Sequence, residues 1–433
     1  MRKYIIHITL LFACTLSAQI TSLRSSLKTN DVVFDINTDK LYVTIPSSNG
    51  DNGNSLGIIN PFSNTLENTI FIGDEPTVMA LSLDNQYIYI GFDDSPVVKR
   101  FNLSTQLVDM EFELGSNQNG DVYFAHDIEV LPDNPNSIAI VRKTYSEISG
   151  RSFAGVGIYD DGIMRPTEYY TFIGPTNIEF KNSTQLIGYV DNTDITTSIL
   201  NIDSSGVTLH SEYSQMPNSA EMFATPMDFI FRNNKAYFTN GRVVDFSSTP
   251  YISGILNSQT SSALAYDEVN NLLCYAYTSS ATTWLDGILS NVYLKRFNPT
   301  TYELYDSVQV QAYGFVDKLV TCGDGCIAFS TDLLLNGYKS FNILRNVPLN
   351  TDSIHISNPS ILIHPNPASN LLYIDVPDDI VIRNIDILNV DGKIMQTTYN
   401  KNVLNIEHLP QGFYLIKIAD LNGNFYTEKI IKR

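Results

Sequence analysis

Apolar and polar residues alternate with a period of two along most of this chain, as in Tyr87-Ile88-Tyr89-Ile90 and Val308-Gln309-Val310. Runs with the 3.6-residue period of a helix are almost absent. The alternating runs are filled with β-branched and aromatic residues, the composition of half-buried strands. Residues 78–83, 87–92, 97–102 and 107–114 are four such runs. Asp84-Asn85-Gln86 and Leu103-Ser104-Thr105-Gln106 supply tight polar turns between them, and Gly115 closes the set. That order predicts a four-stranded meander.

The same unit recurs. Lys99-Arg100-Phe101-Asn102-Leu103-Ser104-Thr105 is echoed by Lys295-Arg296-Phe297-Asn298-Pro299-Thr300-Thr301, and Asn270-Asn271-Leu272-Leu273 repeats the first turn. Units fall near 31–73, 76–115, 123–174, 175–216, 220–256, 261–310 and 314–346, with Gly73, Gly115 and Gly174 at unit ends. Sheets of this size packed radially make a β-propeller, here of seven blades. The last unit is one strand short, so residues 20–27 are expected to supply its outer strand and close the ring. Leu41-Tyr42-Val43-Thr44 and Tyr237-Phe238-Thr239-Asn240, with a weaker echo at Tyr89-Ile90-Gly91-Phe92, resemble the Tyr-Val-Thr-Asn repeat of bacterial seven-bladed surface-layer-type propellers.

The pattern changes after 346–359. His364-Pro365-Asn366-Pro367 opens an Ile-rich segment with turns at Asp391-Gly392-Lys393 and Leu421-Asn422-Gly423-Asn424. Leu409-Pro410-Gln411-Gly412-Phe413-Tyr414 leads into a strand, and the chain stops on Lys432-Arg433. The alternation and the Asp-Gly and Asn-Gly turns predict a small Ig-like antiparallel sandwich. In order, Pro365, Asn366, Pro367, Asp391, Gly392, Leu409, Pro410, Gly412, Tyr414 and Lys432 resemble the C-terminal sorting domain (type A) of proteins exported by the type IX secretion system of Bacteroidota. The resemblance implies passage across the outer membrane, then release or attachment at the cell surface, and partnership with the type IX translocon and sorting machinery.

The N-terminus fits that route. Arg2 and Lys3 precede a short apolar run, and Leu16-Ser17-Ala18 supplies a small residue for cleavage, the order of a signal peptide over 1–18. The expected organisation is a signal peptide (1–18), a propeller (19–346), a linker (347–359) and a sorting domain (360–433). Charge separates the parts: residues 19–357 hold 18 basic against 38 acidic residues, a net of −20, whereas 358–433 hold 7 against 8, a net of −1. So acidic a body excludes nucleic-acid binding, which needs clustered Lys and Arg. No run is long enough for a transmembrane segment.

Catalytic signatures are scarce. There is no Gly-x-Ser-x-Gly elbow, phosphate loop or His-x-x-x-His pair, and Trp284 and Asp286 stand in the wrong order for an Asp box. No catalytic, cofactor-binding or metal-binding residue is assigned. The Asn/Asp/Gly loop at 47–54 offers oxygens suited to Ca²⁺ but lacks the alternating acid pattern, so no cofactor is expected. Cys322 and Cys326 flank a Gly-Asp-Gly turn and are placed to form a disulfide in an oxidising compartment; two reduced thiols are the alternative. In a propeller, residues entering each innermost strand ring the mouth of the central channel. Aligning the strand starts brings His126, Asp127, Asn177, Asp228, Asp317 and Lys318 to one level, a polar ring for a cation, a sugar or a peptide end. The leading expectation is a secreted or cell-surface binding module for an extracellular glycan or protein. The alternative is a propeller enzyme, a lyase, lactonase or glycosidase, with its site at that mouth.

Overall fold

The structure, a computed structural model, describes residues 21–93, 95–146, 150–190, 196–214, 228–258, 263–278, 289–323, 325–333, 338–345, 362–376, 382–389, 393–399, 401–420 and 425–433. The chain divides into two compact units, Met1–Leu349 and Asn350–Arg433.

Among the described residues the first unit holds seven four-stranded antiparallel sheets. Blade I comprises Val32–Asp35, Lys40–Ile45, Ser55–Asn60 and Thr65–Phe71, and blade II runs from Pro76–Leu81 to Leu107–Glu113. Blades III to VI begin with Tyr123–Val130, Asn177–Asn182, Phe229–Arg232 and Ala263–Asp267. Blade VII takes Phe315–Thr321, Ile327–Leu333 and Tyr338–Arg345 from the end of the unit. Its outermost strand, Thr21–Ser25, comes from the beginning and pairs antiparallel with Tyr338–Arg345. The first strands of successive blades touch in an unbroken cycle, with Phe315–Thr321 meeting Val32–Asp35. This is a closed seven-bladed propeller, joined where the short last unit required it.

Each blade is made by its residues in the same way. The second strand is covered on both faces by neighbouring blades, so Lys40–Ile45 and Tyr87–Phe92 are buried at every position but the first. The outer strand is an edge, and Leu107–Glu113 alternates between exposed and half-buried. Tyr42, Tyr89 and Tyr237 sit at the third position of second strands and are all buried. Tyr89 Oη donates to Pro135 O of the next blade (2.8 Å), and Tyr237 Oη to Pro299 O (3.2 Å). In blades II and V the repeated Tyr is thus a stitch between blades, whereas the buried Tyr42 Oη makes no such bond.

The other echo is also structural. Asn102 Oδ1 accepts from Ser104 N and Thr105 N (both 3.0 Å), and Asn298 Oδ1 from Thr300 N (2.8 Å) and Thr301 N (3.0 Å). Each turn ends on a positive-φ residue, Gln106 at 54° or Tyr302 at 63°, and shifts the strand register after the arginine. Arg100 and Arg296 then reach across to Asp109 and Asp306 on the outer strand, Nε to Oδ1 2.8 Å in both.

The second unit is a sandwich of two antiparallel sheets. One contains Leu362–His364, Leu371–Asp375 and Val403–Asn405; the other is ordered Ile394–Tyr399, Ile382–Leu388, Gly412–Asp420, Phe425–Lys432. Leu372, Ile374, Ile385, Ile387, Leu404, Ile416, Ile418 and Ile430 fill the space between them.

Candidate ligand site at the channel mouth

Four innermost strands share a local pattern: Asp31-Val32-Val33-Phe34, Asp127-Ile128-Glu129-Val130, Asn177-Ile178-Glu179-Phe180 and Asp228-Phe229-Ile230-Phe231, placed at the strand start except in blade III, where it follows the bulge inside Tyr123–Val130. The apolar second and fourth positions pack between blades. Successive side chains on a strand point to opposite sides, so the second and fourth positions pack toward the preceding blade, while at the third position Val33 and Ile230 pack toward the following one. The acid or amide at the start also performs a backbone task. Asp31 Oδ2 accepts from Met79 N of blade II (2.8 Å), and Asp127 Oδ2 from Ile178 N of blade IV (2.7 Å). Asn177 Nδ2 donates to Asp228 Oδ1 (3.1 Å), which also receives Phe229 N at 2.8 Å. These bonds tie blade to blade around the mouth.

Lys318 of blade VII enters this acidic ring. Its Nζ is 4.0 Å from Asp31 Oδ1. Its ammonium is held charged by Asp31 first, with Asp228, Asp317 and Asp127 adding to the effect. Asp127, Asn177, Asp228 and Lys318 therefore share one electrostatic site, and Asp31 belongs with them. The other two residues of the expected ring, His126 and Asp317, also lie within electrostatic reach of Lys318. His126 occupies a bulge between Ala125 and Asp127 and bonds sideways to Lys143 Nζ at 2.8 Å. Burial and then the Lys143 charge depress its imidazole to about 3, so it is neutral. Asp317 lies exposed beside Lys318, with Lys339 and Asp332 as its further charged neighbours.

Two residues further along their strands, Glu129 and Glu179 interact with each other and with Arg232, whose Nε is 2.8 Å from Glu268 Oε1. These carboxyls are partly buried and close to one another, and that shifts their protons. Burial lifts Asp127 to about 7, with repulsion from Asp228 second. Burial lifts Glu179 to about 8 in spite of Arg232. Glu129 is raised well above the usual carboxylate range by burial and then by Glu179. Asp31 is raised too, burial outweighing Lys318. At neutral pH the mouth therefore combines donors (Lys318, the Asn177 amide, a partly protonated Asp127) with acceptors, a mixture that suits a hydroxyl-rich or peptide-like ligand.

Alignment of strand starts on the sequence missed Asp31, Glu129, Glu179 and Arg232. The two glutamates lie two residues after ring positions and share their face, a signal that the period of two contains.

The remaining candidates fall elsewhere. Cys322 and Cys326 are bonded to each other, with Cα atoms 4.9 Å apart. The 47–54 loop is closed on itself and its neighbour: Asn54 Oδ1 accepts from Glu75 N (3.1 Å), Asn54 Nδ2 donates to Asp74 Oδ1 (2.9 Å), and Glu75 Oε1 accepts from Ser47 N (3.3 Å). Among the described residues no group of three or more His, Cys, Asp or Glu side chains is arranged to hold a metal ion, and no helix is long and apolar enough to cross a membrane. The segment 1–18, Trp284, Asp286, the stretch 347–359, and Asp391 with Gly392 lie outside the described residues.

In the tail, the Pro365-Asn366-Pro367 motif is a clasp. Asn366 Nδ2 donates to Lys429 O (2.8 Å), and its Oδ1 accepts from Ile431 N (2.9 Å). Ala368 N then donates to Ile431 O and Arg433 N to Ala368 O, both at 2.8 Å. The motif thereby covers the free edge of the last strand, Phe425–Lys432, the edge that would otherwise invite pairing with another chain. Tyr414 Oη donates to Pro410 O (2.9 Å), and Leu409 is buried, fixing the approach to Gly412–Asp420. Lys432 is itself buried, with its Nζ on Arg433 O (2.6 Å).

Residues 362–433 match the family model of the secretion system C-terminal sorting domain. The sorting domain assigns the chain to type IX export, to the outer membrane or the extracellular space, and to the machinery of that route. Among solved structures, the propeller domain of Cps50 (Swd1) from Myceliophteria thermophila matches at 11% identity and a TM-score of 0.50. That match covers 75% of this chain and 98% of that one. The extracellular domain of a one component system from B. thetaiotaomicron matches at 14% identity and a TM-score of 0.45, over 94% of this chain and 57% of that one. At these identities the first likeness is one of fold. No curated protein matches the sequence.

Proposed function

We propose that the exported ring is a binding module that takes an extracellular glycan or protein end at the channel mouth. The observation that carries this reading is the convergence of Asp31, Asp127, Asn177, Asp228 and Lys318, drawn from blades I, III, IV, V and VII, on one electrostatic site. Residues 1–18 act in this reading as the signal peptide that starts the journey, in a bacterium of the Bacteroidota, and the recurring Tyr of the second strands marks the ring as the Tyr-Val-Thr-Asn type. A mixed set of donors and acceptors favours a ligand rich in hydroxyl or amide groups, with no resident cofactor. The test is a polysaccharide and protein array probed with the mature protein. Asp127→Asn and Asp228→Asn, which keep an oxygen for the backbone donors, are expected to weaken the bound ligand at least about tenfold, a loss of about 1.4 kcal/mol. Unchanged affinity in both variants overturns the site.

A second reading has an observation of its own. Glu129 and Glu179 hold their protons to unusually high pH beside Arg232, as acid–base pairs of enzymes do. Lactone and glycoside screens with the mature protein and its Glu179→Gln variant decide it: turnover lost in the variant supports an enzyme, and no turnover in the native protein leaves the binding module.

A further inference from the structure

The first half of the strand Gly412–Asp420 is apolar on both faces, before Lys417 on the outer one. Tyr414, Ile416 and Ile418 point into the sandwich, while Phe413 is 57% exposed and Leu415 40% exposed on the other side. A sheet with one face in water alternates apolar and polar residues, whereas a strand that is apolar on both sides belongs in a sheet covered on both. Strand register extends the outer apolar surface to neighbours: Phe413 lies opposite Ile431, Leu415 opposite Leu388, and Leu388 opposite Ile394. Ile431 and Ile394 are 37% and 53% exposed. Five apolar side chains from all four strands thus form one contiguous patch on the solvent side, beyond the scattered exposure normal for a surface.

Basic groups border it. Lys429 lies opposite Leu415, Lys393 precedes Ile394, and Arg433 follows the last strand; all three are exposed. On the opposite sheet the exposed Tyr373 is stacked against His364, which is bonded to Asp375 at 2.9 Å, so that face is partly closed by its own residues.

We propose that this patch is the surface by which the sorting domain docks on a protein of the secretion machinery. Its partner is a surface with an apolar centre and an acidic border. The matched family supplies the argument that the tail is read by protein machinery, and the basic border supplies the sign of the partner's charge. The x of the Leu-Pro-x-Gly-x-Tyr run that follows Gly412 is Phe413, the most exposed member of the patch. The run therefore serves two purposes: Tyr414 builds the core, and Phe413 makes the contact.

The test is export of the full chain in its native host, with the protein measured in the periplasm and at the surface or in the medium. Phe413→Thr with Leu415→Thr is expected to lower the exported fraction at least about tenfold and to leave a folded, protease-resistant periplasmic pool. Tyr373→Thr with Val403→Thr on the other sheet is expected to export normally. Lys429→Glu is expected to reduce export severalfold. Normal export of the first pair, or equal loss in the Tyr373 and Val403 pair, overturns the proposal. Where the first pair yields a protease-sensitive tail, Phe413→Lys and Leu415→Lys decide singly, since both positions already face water and normal export of both also overturns it.

Discussion

Asp127 offers a sharp test of the channel electrostatics. Its carboxyl is held at about 7, against about 3.9 in an unfolded chain. The folded state therefore binds more protons than the unfolded state between those values, and its stability falls as pH rises through that window. From pH 5.5 to 7 the window spans about 1.5 units, or about 2 kcal/mol at 1.36 kcal/mol per unit. Glu179, at about 8, adds in the same direction and extends the fall toward pH 8. His126 opposes this fall, because it is neutral when folded and protonated below about 6.5 in the unfolded chain, so it adds stability as pH rises from 5.5 to about 7 and nothing above that. Asp127→Asn removes the ionisation but keeps an oxygen for Ile178 N. The ring of the variant is expected to melt higher than the native ring at both pH values, with the gap at pH 8.5 roughly 2–4 °C wider than at pH 5.5. The assay is calorimetric or fluorescence melting of the mature protein at both pH values. Stability of the native ring that rises from pH 5.5 to 8.5, or an Asn variant with the native pH dependence, refutes the reasoning.

Three further outcomes follow from the contacts. Removing residues 19–27 takes away the closing strand Thr21–Ser25 and the half-buried Leu23 and Leu27. The ring is expected to lose its cooperative melting transition and to expose Tyr338–Arg345 to proteolysis. Cys322→Ser with Cys326→Ser opens a covalent loop of five residues, with an expected cost of about 2 kcal/mol, checked by denaturant unfolding against the oxidised protein. Asn366→Ala deletes two bonds to the last strand at roughly 1 kcal/mol each; limited proteolysis is expected to clip the C-terminal strand of this variant first.

What the sequence disclosed was the part written by local rules. The four runs between 78 and 114, the Asn102 and Asn298 turns and the missing strand of the last unit were visible because strand period, turn chemistry and ring closure leave marks in consecutive residues. The channel was harder, because its residues come from five blades and meet only when the ring closes. Strand starts brought forward Asp127, Asn177, Asp228, Asp317 and Lys318, and with them His126. The bulge at Ala125 and Asp127 turns that imidazole toward Lys143, and nothing in the neighbouring residues marks a bulge there. Asp31 was within reach: Asp31-Val32-Val33-Phe34 repeats the order of Asp228-Phe229-Ile230-Phe231, and both aspartates cap the strand they open, each accepting from the next N–H at 2.8 Å. The raised proton affinity of Glu129 and Glu179 is of another kind. It depends on how far each carboxyl is buried and on which charges lie close to it. The same duality limits inference at the mouth, where a carboxylate that receives the next blade's N–H is needed for the ring whether or not a ligand arrives. This is why amide variants, which separate the hydrogen bond from the charge, carry more information at Asp127 and Asp228 than truncations to alanine.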